Sequence, residues 1–301
     1  MKCLCFFLLV TAVFVASENP DENLGVDNKE LFEGDMILPP HVLYKAEHGM
    51  DVDSSRKRAS IRRGLWPKGE VPFAVFNGLG RSPELRNAIR AIIAGMNEWR
   101  RKTCIRFKRR TNERDYVIFA LRSGGCYSNV GRIGGRQIIN LGTGCRTLGI
   151  VAHEIGHAIG FYHEQSRPDR DQFVTVLFQN VQAGTRHNFN KYPRSVIDSL
   201  GTPYDYRSVM HYDDKAFSKN PRLPTIVTKD RRYQNVIGQR IGLSPIDARQ
   251  ANLLYRSECA KRGGGGAVCR DRWRSCQRRP IQHCRNSIVR RYCRKRCNQC
   301  S

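Results

Sequence analysis

The chain has 301 residues, of which 40% are hydrophobic, and it carries a formal net charge of +25. That length suits one medium domain with appendages, and the apolar fraction is high enough to bury a core, which excludes a wholly disordered protein. The positive charge is consistent with a well-solvated surface, and equally with attraction to acidic matrix, cell surfaces or acidic substrates.

The N-terminal segment has the pattern of a secretory signal. Met1 and Lys2 precede the apolar run CLCFFLLVTAVFVA, and small residues follow it, which predicts a signal peptide over 1–17 with cleavage after Ser17. This run is shorter than the roughly 20 apolar residues that a membrane span requires, and no other stretch is longer. We therefore expect a secreted, extracellular protein with no membrane span and with no nucleic acid among its partners.

An acidic segment, 18–58, follows the signal and shows little helical or strand periodicity. It ends in SSRKRAS, a basic cluster of the kind that processing proteases cut. Cleavage after Arg58, or at the second basic pair Arg62–Arg63, would release an acidic propeptide from a basic body. An ordinary basic loop is the alternative interpretation.

A folded domain is predicted to span 59–260. The stretches VPFAVF, CIRF and DYVIFAL have the composition of strands. Apolar residues spaced three or four apart after Pro83 predict an amphipathic helix of about 18 residues. Leu85, Ile89, Ile92, Met96 and Trp99 would share one face of this helix. Gly-rich turns surround Cys126 and Cys145.

The second half of this domain has fewer signals. The stretch LGIVAHEIGHAIG predicts a second, buried helix, and residues 165–258 beyond it are mostly irregular, with turns marked by Pro and Gly. A last short helix is predicted near SPIDARQANLLY, with Ser244 as its N-cap, Pro245 in the first helical position and Asp247 at the third.

The stretch HEIGHAIGFYHE, from His153 to Glu164, indicates a metal site. His153 and His157 are four residues apart, so they face the same side of a helix and can bind one ion. Gly160 permits a left-handed exit from the helix, which can return His163 to the same point as a third ligand. Three neutral imidazoles and an open position for water describe a catalytic zinc site rather than a structural one.

Glu154 follows the first histidine and is turned so that its carboxylate reaches a ligand of the metal rather than the metal itself. It would serve as general base for a zinc-activated water and pass the proton to the leaving amine. A bare H-E-x-x-H occurs by chance. The pattern here is extended to H-E-x-x-H-x-x-G-x-x-H and is followed by a Met-turn candidate in YRSVMHY, so a chance match explains it poorly.

The extended motif and the Met-turn resemble the metzincins, and Glu164 directly after the third histidine, with SVMHY downstream, resembles the astacin family. The stretches LWP, GCYSNVGR, HEQSRPDRD and IGQRIGLS extend the resemblance over about residues 30 to 260. It implies an α+β, two-lobed metzincin protease domain with a small mixed sheet, two long helices and a zinc cleft between the lobes. The implied activity is that of a zinc metalloendopeptidase that acts on proteins or peptides, with one Zn²⁺ per catalytic domain.

The resemblance also implies roles for individual residues. Met210 would form an apolar floor under the metal. Tyr212 would bind zinc in the resting enzyme and swing to the developing oxyanion during turnover. Glu164 would meet the new N-terminus after activation, which here would be Ala59.

Two further assignments concern the substrate cleft. The acidic segment contains FEGD, similar to the family's F-x-G-D latency motif, so Asp35 would occupy the water position on zinc until the propeptide is removed. An aspartate that is simply one of many acids in this segment is the alternative. Astacins often favour an acidic residue just after the cut, and Arg240, or more weakly Arg146, would form the corresponding basic pocket. For both arginines, an ordinary surface position is the alternative.

Ten cysteines remain after the predicted signal peptide, an even number that favours five disulfides in an oxidising compartment. For the four widely spaced ones, the family resemblance implies Cys104–Cys259 and Cys126–Cys145. The other six are crowded into 269–300, beyond a Gly-rich linker over 261–268. This segment resembles the ShK-like toxin module, a small disulfide-rich helical unit. That resemblance implies Cys269–Cys300, Cys276–Cys293 and Cys284–Cys297, although spacing alone allows fifteen connectivities.

Two other classes of function stay open. In a vestigial protease kept as a binding or toxin-like protein, a lost histidine or an altered Glu154 would be expected, and all are intact. An adhesive matrix protein driven by charge would show salt-dependent binding that persists after zinc removal. The favoured interpretation is a secreted latent protease whose basic C-terminal module docks to acidic matrix or cell-surface components.

Overall fold

The computed structural model describes residues 31–38, 64–76, 82–194 and 196–262. Several expectations lie outside these residues: the signal peptide with Ser17, the cleavage site at Arg58, the glycine run of the predicted linker, and the ShK-like segment 269–300 with its three disulfides. Within the described ranges, no helix combines the length and the apolar character that a membrane span would need.

A six-stranded mixed sheet forms one layer of the domain. Its strands are β1 (Met36–Ile37), β2 (Glu70–Val75), β3 (Arg106–Arg109), β4 (Tyr116–Ala120), β5 (Cys126–Asn129) and β6 (Arg136–Leu141). Their order across the sheet is β1-β5-β6-β4-β2-β3, and β5 runs antiparallel to β6 while the other neighbouring pairs of this sheet are parallel. Strand β1, which lies in the predicted propeptide, covers the edge that β5 would otherwise present.

The first long helix, α1 (Pro83–Lys102), confirms the amphipathic pattern. It begins at Ser82, whose side chain accepts a hydrogen bond from the backbone N–H of Leu85, and proline occupies the first turn. Three basic residues occupy its last turn, where they oppose the negative end of the helix dipole. Its apolar face is buried against the sheet and the second helix.

The second helix, α2 (Leu148–Ala158), is buried along nearly its whole length, which agrees with its apolar composition. Thr147 caps its N-terminus through a side-chain hydrogen bond. The two helices approach closely because α1 has no side chain at Gly95, where a β-carbon would lie 2.6 Å from Cγ1 of Val151. Helix α2 therefore lies in the centre of the main core, with α1 on one side and the sheet close by.

The second half of the domain is mostly irregular, as predicted. Its regular elements are β7 (Val174–Val176), β8 (Ile226–Thr228), α3 (Pro245–Leu254) and α4 (Arg256–Arg262). Short 3-10 helices among the described residues are Pro67–Gly69, Thr143–Cys145, Glu164–Ser166, Arg170–Gln172, Phe178–Asn180, Arg186–Phe189 and Arg231–Tyr233. The capping box of Ser244 and Asp247 is present, which confirms the predicted start of α3. Helix α4 carries the chain two residues past the predicted domain end at 260.

Two disulfides link distant parts of the described chain. Cys104–Cys259 ties the segment after α1 to helix α4, and Cys126–Cys145 joins β5 to the short 3-10 helix after β6. Both pairs are those that the family resemblance implies.

The structure also contains strands that the sequence pattern did not predict. Strands β5 and β6 lie where only Gly-rich turns were expected, and β1 lies in a segment without periodicity. Glycines flank these two strands and dominate the sequence pattern there, which therefore predicts turns. They include Gly124, Gly125, Gly134 and Gly135, all with positive φ. Strand β5 itself reads CYSN and shows no apolar alternation, so only its pairing partners make it a strand.

Candidate zinc site

The two helical histidines lie one turn apart on α2, and both are fully buried. The Nε2 atoms of His153 and His157 are 3.1 Å apart. Nδ1 of His153 lies 2.8 Å from the carbonyl oxygen of Val209, and Nδ1 of His157 lies 2.8 Å from that of Phe161. With each Nδ1–H donating to a carbonyl, each Nε2 presents its lone pair to the same point.

His163 reaches that point from outside the helix. The chain leaves α2 at Gly160, whose φ of 107° lies in the region that favours glycine. The N–H of Gly160 donates to the carbonyl oxygen of His157 at 2.8 Å, which closes the end of the helix. The ring of His163 then stacks on that of His153, with 5.4 Å between the centroids.

A tight turn of the predicted propeptide brings a carboxylate to the three histidines. Phe32 and Met36 exchange backbone hydrogen bonds of 2.8 and 2.9 Å. Between them, Glu33 and Gly34 have φ values of 51° and 86°. A left-handed non-glycine residue costs on the order of 1 kcal/mol, so contacts with the domain must hold this turn.

Those contacts are partly apolar and partly backbone pairing. Phe32, Met36 and Leu38 are buried in one cluster with side chains of the second half of the domain, Tyr192, Val196 and Ile197. The carbonyl oxygen of Asp35 accepts a hydrogen bond from the N–H of Ser128 at 2.9 Å, next to the β1–β5 pairing. Contacts on both sides therefore fix the turn, and its backbone conformation determines where its carboxylates lie.

Asp35 completes the group of potential ligands. Its Oδ2 lies 3.0 Å from Nε2 of His153 and 3.1 Å from Nε2 of His163. The ligand atoms of these residues and of His157 all lie within 4.8 Å of one another, and all four residues are buried. Three imidazole nitrogens and one carboxylate oxygen are the donors that Zn²⁺ takes in tetrahedral sites, so the residues fit zinc.

The charges of the cluster also suit a cation. Burial disfavours a charge on Asp35, but the neighbouring histidines outweigh it and hold its pKa well below the usual range. Burial opposes a charge on His163 too, yet the carboxylates of Asp35 and Glu33 raise its pKa to about 9. Burial lowers the pKa of His153 to about 4. Two buried carboxylates beside three imidazoles favour a positive charge at this position.

Glu154 and Met210 are both buried at helix α2. Glu154 follows the first histidine on α2 and is fully buried. A β-carbon on Gly156 would lie 2.5 Å from Sδ of Met210, so the thioether packs against the helix turn that carries both helical histidines. Met210 is 1% exposed, which agrees with an apolar support beneath the site.

Tyr212 contacts the predicted propeptide in this structure. Its hydroxyl donates to the carbonyl oxygen of Glu33 at 2.6 Å, and its ring lies 4.5 Å from that of His163, centroid to centroid. The predicted zinc contact of Tyr212 concerns the chain after propeptide removal, so it stays a prediction.

Glu164 is buried in a network of the domain itself. Its Oε1 accepts hydrogen bonds from the N–H of Asp205 at 2.8 Å and from Nη1 of Arg167 at 3.1 Å. Burial raises the pKa of Glu164 to about 8. The same residue lines a cavity of about 30 Å³ beside Gly160 and Leu254. Its predicted partner Ala59 lies outside the described residues.

The two candidate pocket arginines are placed differently. Arg240 is half-buried, and its Nη1 donates to the carbonyl oxygens of Val209 and His211 at 3.1 Å each. It therefore supports the backbone of the Met-turn in this structure. Arg146 precedes α2, follows the disulfide-bonded Cys145, and is also half-buried.

Three further residues of the site were not singled out from sequence. Glu33, Ser166 and Tyr192 are buried together beside His163. Glu33 lies inside the FEGD stretch and Ser166 inside HEQSRPDRD, so motif membership was an available signal for both. Tyr192 has no local signal, because only the folded chain brings it to Glu33.

Comparisons with known proteins agree with this site. Residues 58–256 match the family described as Astacin (Peptidase family M12A). Zinc metalloproteinase nas-14 of Caenorhabditis elegans is 45% identical over 250 residues, which cover 77% of this chain and 48% of that protein. Blastula protease 10 of Paracentrotus lividus is 39% identical over 251 residues, which cover 79% of this chain and 40% of that protein.

A solved structure is also similar. High choriolytic enzyme 1, a hatching enzyme zinc-protease from Oryzias latipes (medaka fish), superimposes with a TM-score of 0.56 at 38% sequence identity. The match covers 66% of this chain and 93% of that one. The chain spans less than half the length of the two curated relatives, at 48% and 40%.

Proposed function

This chain belongs to the astacin family, peptidase family M12A, and on that premise we propose that it is a secreted zinc metalloendopeptidase made as a latent zymogen. The observation that carries the proposal is the position of Asp35. A propeptide carboxylate lies within 3.1 Å of Nε2 of two histidines in a buried group that fits zinc. The site is therefore built for a metal, and the propeptide supplies the fourth donor.

The chemistry follows from the residues around the group. When bound, zinc would activate a water molecule and polarise the carbonyl of the scissile peptide. Glu154 would accept the proton of that water and deliver it to the leaving amine. This is general acid–base catalysis by a side chain next to the metal ligands. Tyr212 would be freed from Glu33 when the propeptide leaves, and its hydroxyl could then donate to the developing oxyanion.

Latency has two structural supports. Asp35 would occupy the position that the attacking water needs, and its approach to Nε2 of His153 and His163 supports this role. Strand β1 pairs with β5 at Met36–Ser128 and Ile37–Asn129, and so fills the sheet edge along which an extended peptide could add a strand. Removal of the propeptide after Arg58 would expose both the water position at the metal and the edge of β5.

Activation would also create a new N-terminus that could pair with Glu164. This buried carboxylate lines a cavity of about 30 Å³. A new N-terminal ammonium that entered from Ala59 would compensate the buried charge. Burial raises the pKa of Glu164 to about 8, so an ammonium group beside it would favour its ionised form.

Three parts of the proposal depend on sequence. The signal pattern over 1–17 supports secretion. Arg240, near the Met-turn, is the candidate for a preference toward acidic residues after the cut, and the basic segment 269–300 is the candidate for docking to acidic matrix or cell surfaces. Removal of 1–17, substitution of Arg240 and removal of 269–300 test these three parts in turn.

The test of the function is cleavage of a proteome-derived peptide library by the chain after processing at Arg58. The matched control is Glu154→Gln, which keeps the shape of the side chain but cannot accept the proton. We expect cuts that stop with a chelator and return with zinc, and a loss of rate of roughly 10²- to 10⁴-fold in the variant. The zinc content of the variant should equal that of the wild type.

Other outcomes would redirect the proposal. If the processed, zinc-loaded chain makes no cuts, the protein is a binding protein in a protease fold. If cuts occur without enrichment of Asp or Glu just after the scissile bond, the enzyme stands and the role of Arg240 does not.

A further inference from the structure

The three histidines differ in what orients them. Nδ1 of His153 and Nδ1 of His157 donate to backbone carbonyls of the protease domain, at Val209 and Phe161. Both carbonyls remain when the propeptide is removed. Nδ1 of His163 lies 2.5 Å from Oε2 of Glu33, and within the described ranges this propeptide carboxylate is its hydrogen-bond acceptor.

Glu33 is completely buried, and its two carboxylate oxygens are used separately. Oε2 accepts from His163, while Oε1 accepts from the hydroxyl of Ser166 at 2.8 Å and from the hydroxyl of Tyr192 at 2.9 Å. The backbone carbonyl of Glu33 takes the hydroxyl of Tyr212 at 2.6 Å. Four donors of the domain thus converge on one propeptide residue.

An acceptor on Nδ1 matters for a metal-binding histidine. It fixes the tautomer that leaves the Nε2 lone pair free, holds the ring in its orientation, and, when it is a carboxylate, raises the basicity of the ring. His163 depends on such a partner more than the helical pair does, because it follows the exit at Gly160 and is not held by a helix.

We infer that Glu33 is a positioning residue of the latent zinc site: by accepting the Nδ1–H of His163, it holds the one histidine ligand that lies off the helix and slows the loss of zinc from the zymogen. This inference rests on the proposed function, since it assumes that the histidines bind zinc. It assigns the propeptide a second task beside blockage by Asp35, namely retention of the metal until activation.

A purely anchoring role is the alternative. Through Ser166 and Tyr192, Glu33 also ties the propeptide to the domain, and loss of that tie would loosen Asp35. The two roles separate because Oε1 serves the anchor and Oε2 serves His163. Variants of Ser166 and Tyr192 remove the tie through Oε1 and leave the contact with His163.

The experiment measures how fast zinc leaves the full-length, uncut chain into excess of a chromogenic chelator. Glu33→Gln removes the charge while keeping the shape, and Glu33→Ala removes the acceptor. The matched control is the double variant Ser166→Ala/Tyr192→Phe. We expect zinc release to be about 10- to 100-fold faster with Glu33→Gln and faster again with Glu33→Ala. The control should change it by less than about threefold, since the orientation of His163 is kept.

The propeptide location of Glu33 provides a check on folding. After processing at Arg58, the Glu33 variants and the wild type yield the same mature chain, so their rates of zinc release must then coincide. Release from the uncut Glu33→Gln chain within twofold of the wild type would overturn the inference. So would a control variant that loses zinc as fast as Glu33→Gln, because the anchor alone would then explain the effect. Neither result depends on peptide cleavage, so the proposed function is tested separately.

Discussion

A β-carbon on Gly149 would stand 1.5 Å from the carbonyl oxygen of Arg240, although 91 positions separate the two residues in the sequence. The first turn of α2 therefore packs directly on the backbone of the segment whose arginine supports the Met-turn. The zinc helix and the floor of the site are aligned through this contact. Only glycine permits it, because backbone atoms cannot move aside as a flexible side chain can.

The substitution Gly149→Ala should therefore destabilise the protein strongly. Overpacking against backbone costs about 1–3 kcal/mol and often more when nothing can yield, so we expect a loss of about 3 kcal/mol or more in the free energy of unfolding. Gly144→Ala is the matched control, since no heavy atom lies within 4 Å of its β-carbon position. Urea unfolding of both variants checks this, and equal stabilities would contradict the close contact.

Loss of Asp35 should weaken latency. In the uncut chain, Asp35→Ala removes the carboxylate that lies against Nε2 of His153 and His163. Water can then reach the metal position, so we expect peptide cleavage by uncut Asp35→Ala to exceed that by uncut wild type at least about tenfold, with each factor of ten equal to about 1.4 kcal/mol. Asp27→Asn removes a charge from the same acidic segment and should leave the uncut chain inactive. If uncut Asp35→Ala is as inactive as the uncut wild type, other propeptide contacts are sufficient to keep the chain latent.

The two disulfides should differ in their contribution to stability. Cys104–Cys259 closes a loop with a sequence separation of 155, and Cys126–Cys145 one of 19. In the chain-entropy model, loss of the longer loop costs about 5 kcal/mol and loss of the shorter about 3 kcal/mol. Paired Cys→Ala variants, compared by urea unfolding, measure both. A larger loss from the shorter loop would mean that native-state contacts, not loop entropy, determine the effect.

The buried carboxylate of Asp247 predicts a pH dependence of stability. Burial, with the nearby charge of Asp205, raises its pKa to about 6. The unfolded chain has a pKa near 3.9, so the folded state binds more protons between about pH 4 and pH 6, and stability falls as pH rises through that window by up to about 3 kcal/mol. Asp247→Asn lacks this titration. The free energy of unfolding of the wild type, minus that of Asp247→Asn, should therefore fall from pH 4 to pH 7. A value that stays constant would contradict the raised pKa.

Much of the site could be predicted from local spacing. His153 and His157 need only a helix to share a face, and the glycine at 160 needs only its missing side chain to turn the chain toward His163. The start of α3 at Ser244 was likewise a local matter, because a capping box is made by residues three apart. Strand β5 was not predictable in this way, since its residues are polar and its hydrogen bonds come from β6 and from the propeptide.

The sequence by itself determined which side chains can bind zinc, because ligand type and helical periodicity are properties of a dozen neighbouring residues. The tertiary structure alone decided how two of those ligands are held: Val209 beneath His153, and Glu33 behind His163. The same is true of the fit between Gly149 and the backbone of Arg240. Contacts between residues 91 or 130 positions apart depend on how helices, sheet and propeptide pack, and no local spacing encodes that distance.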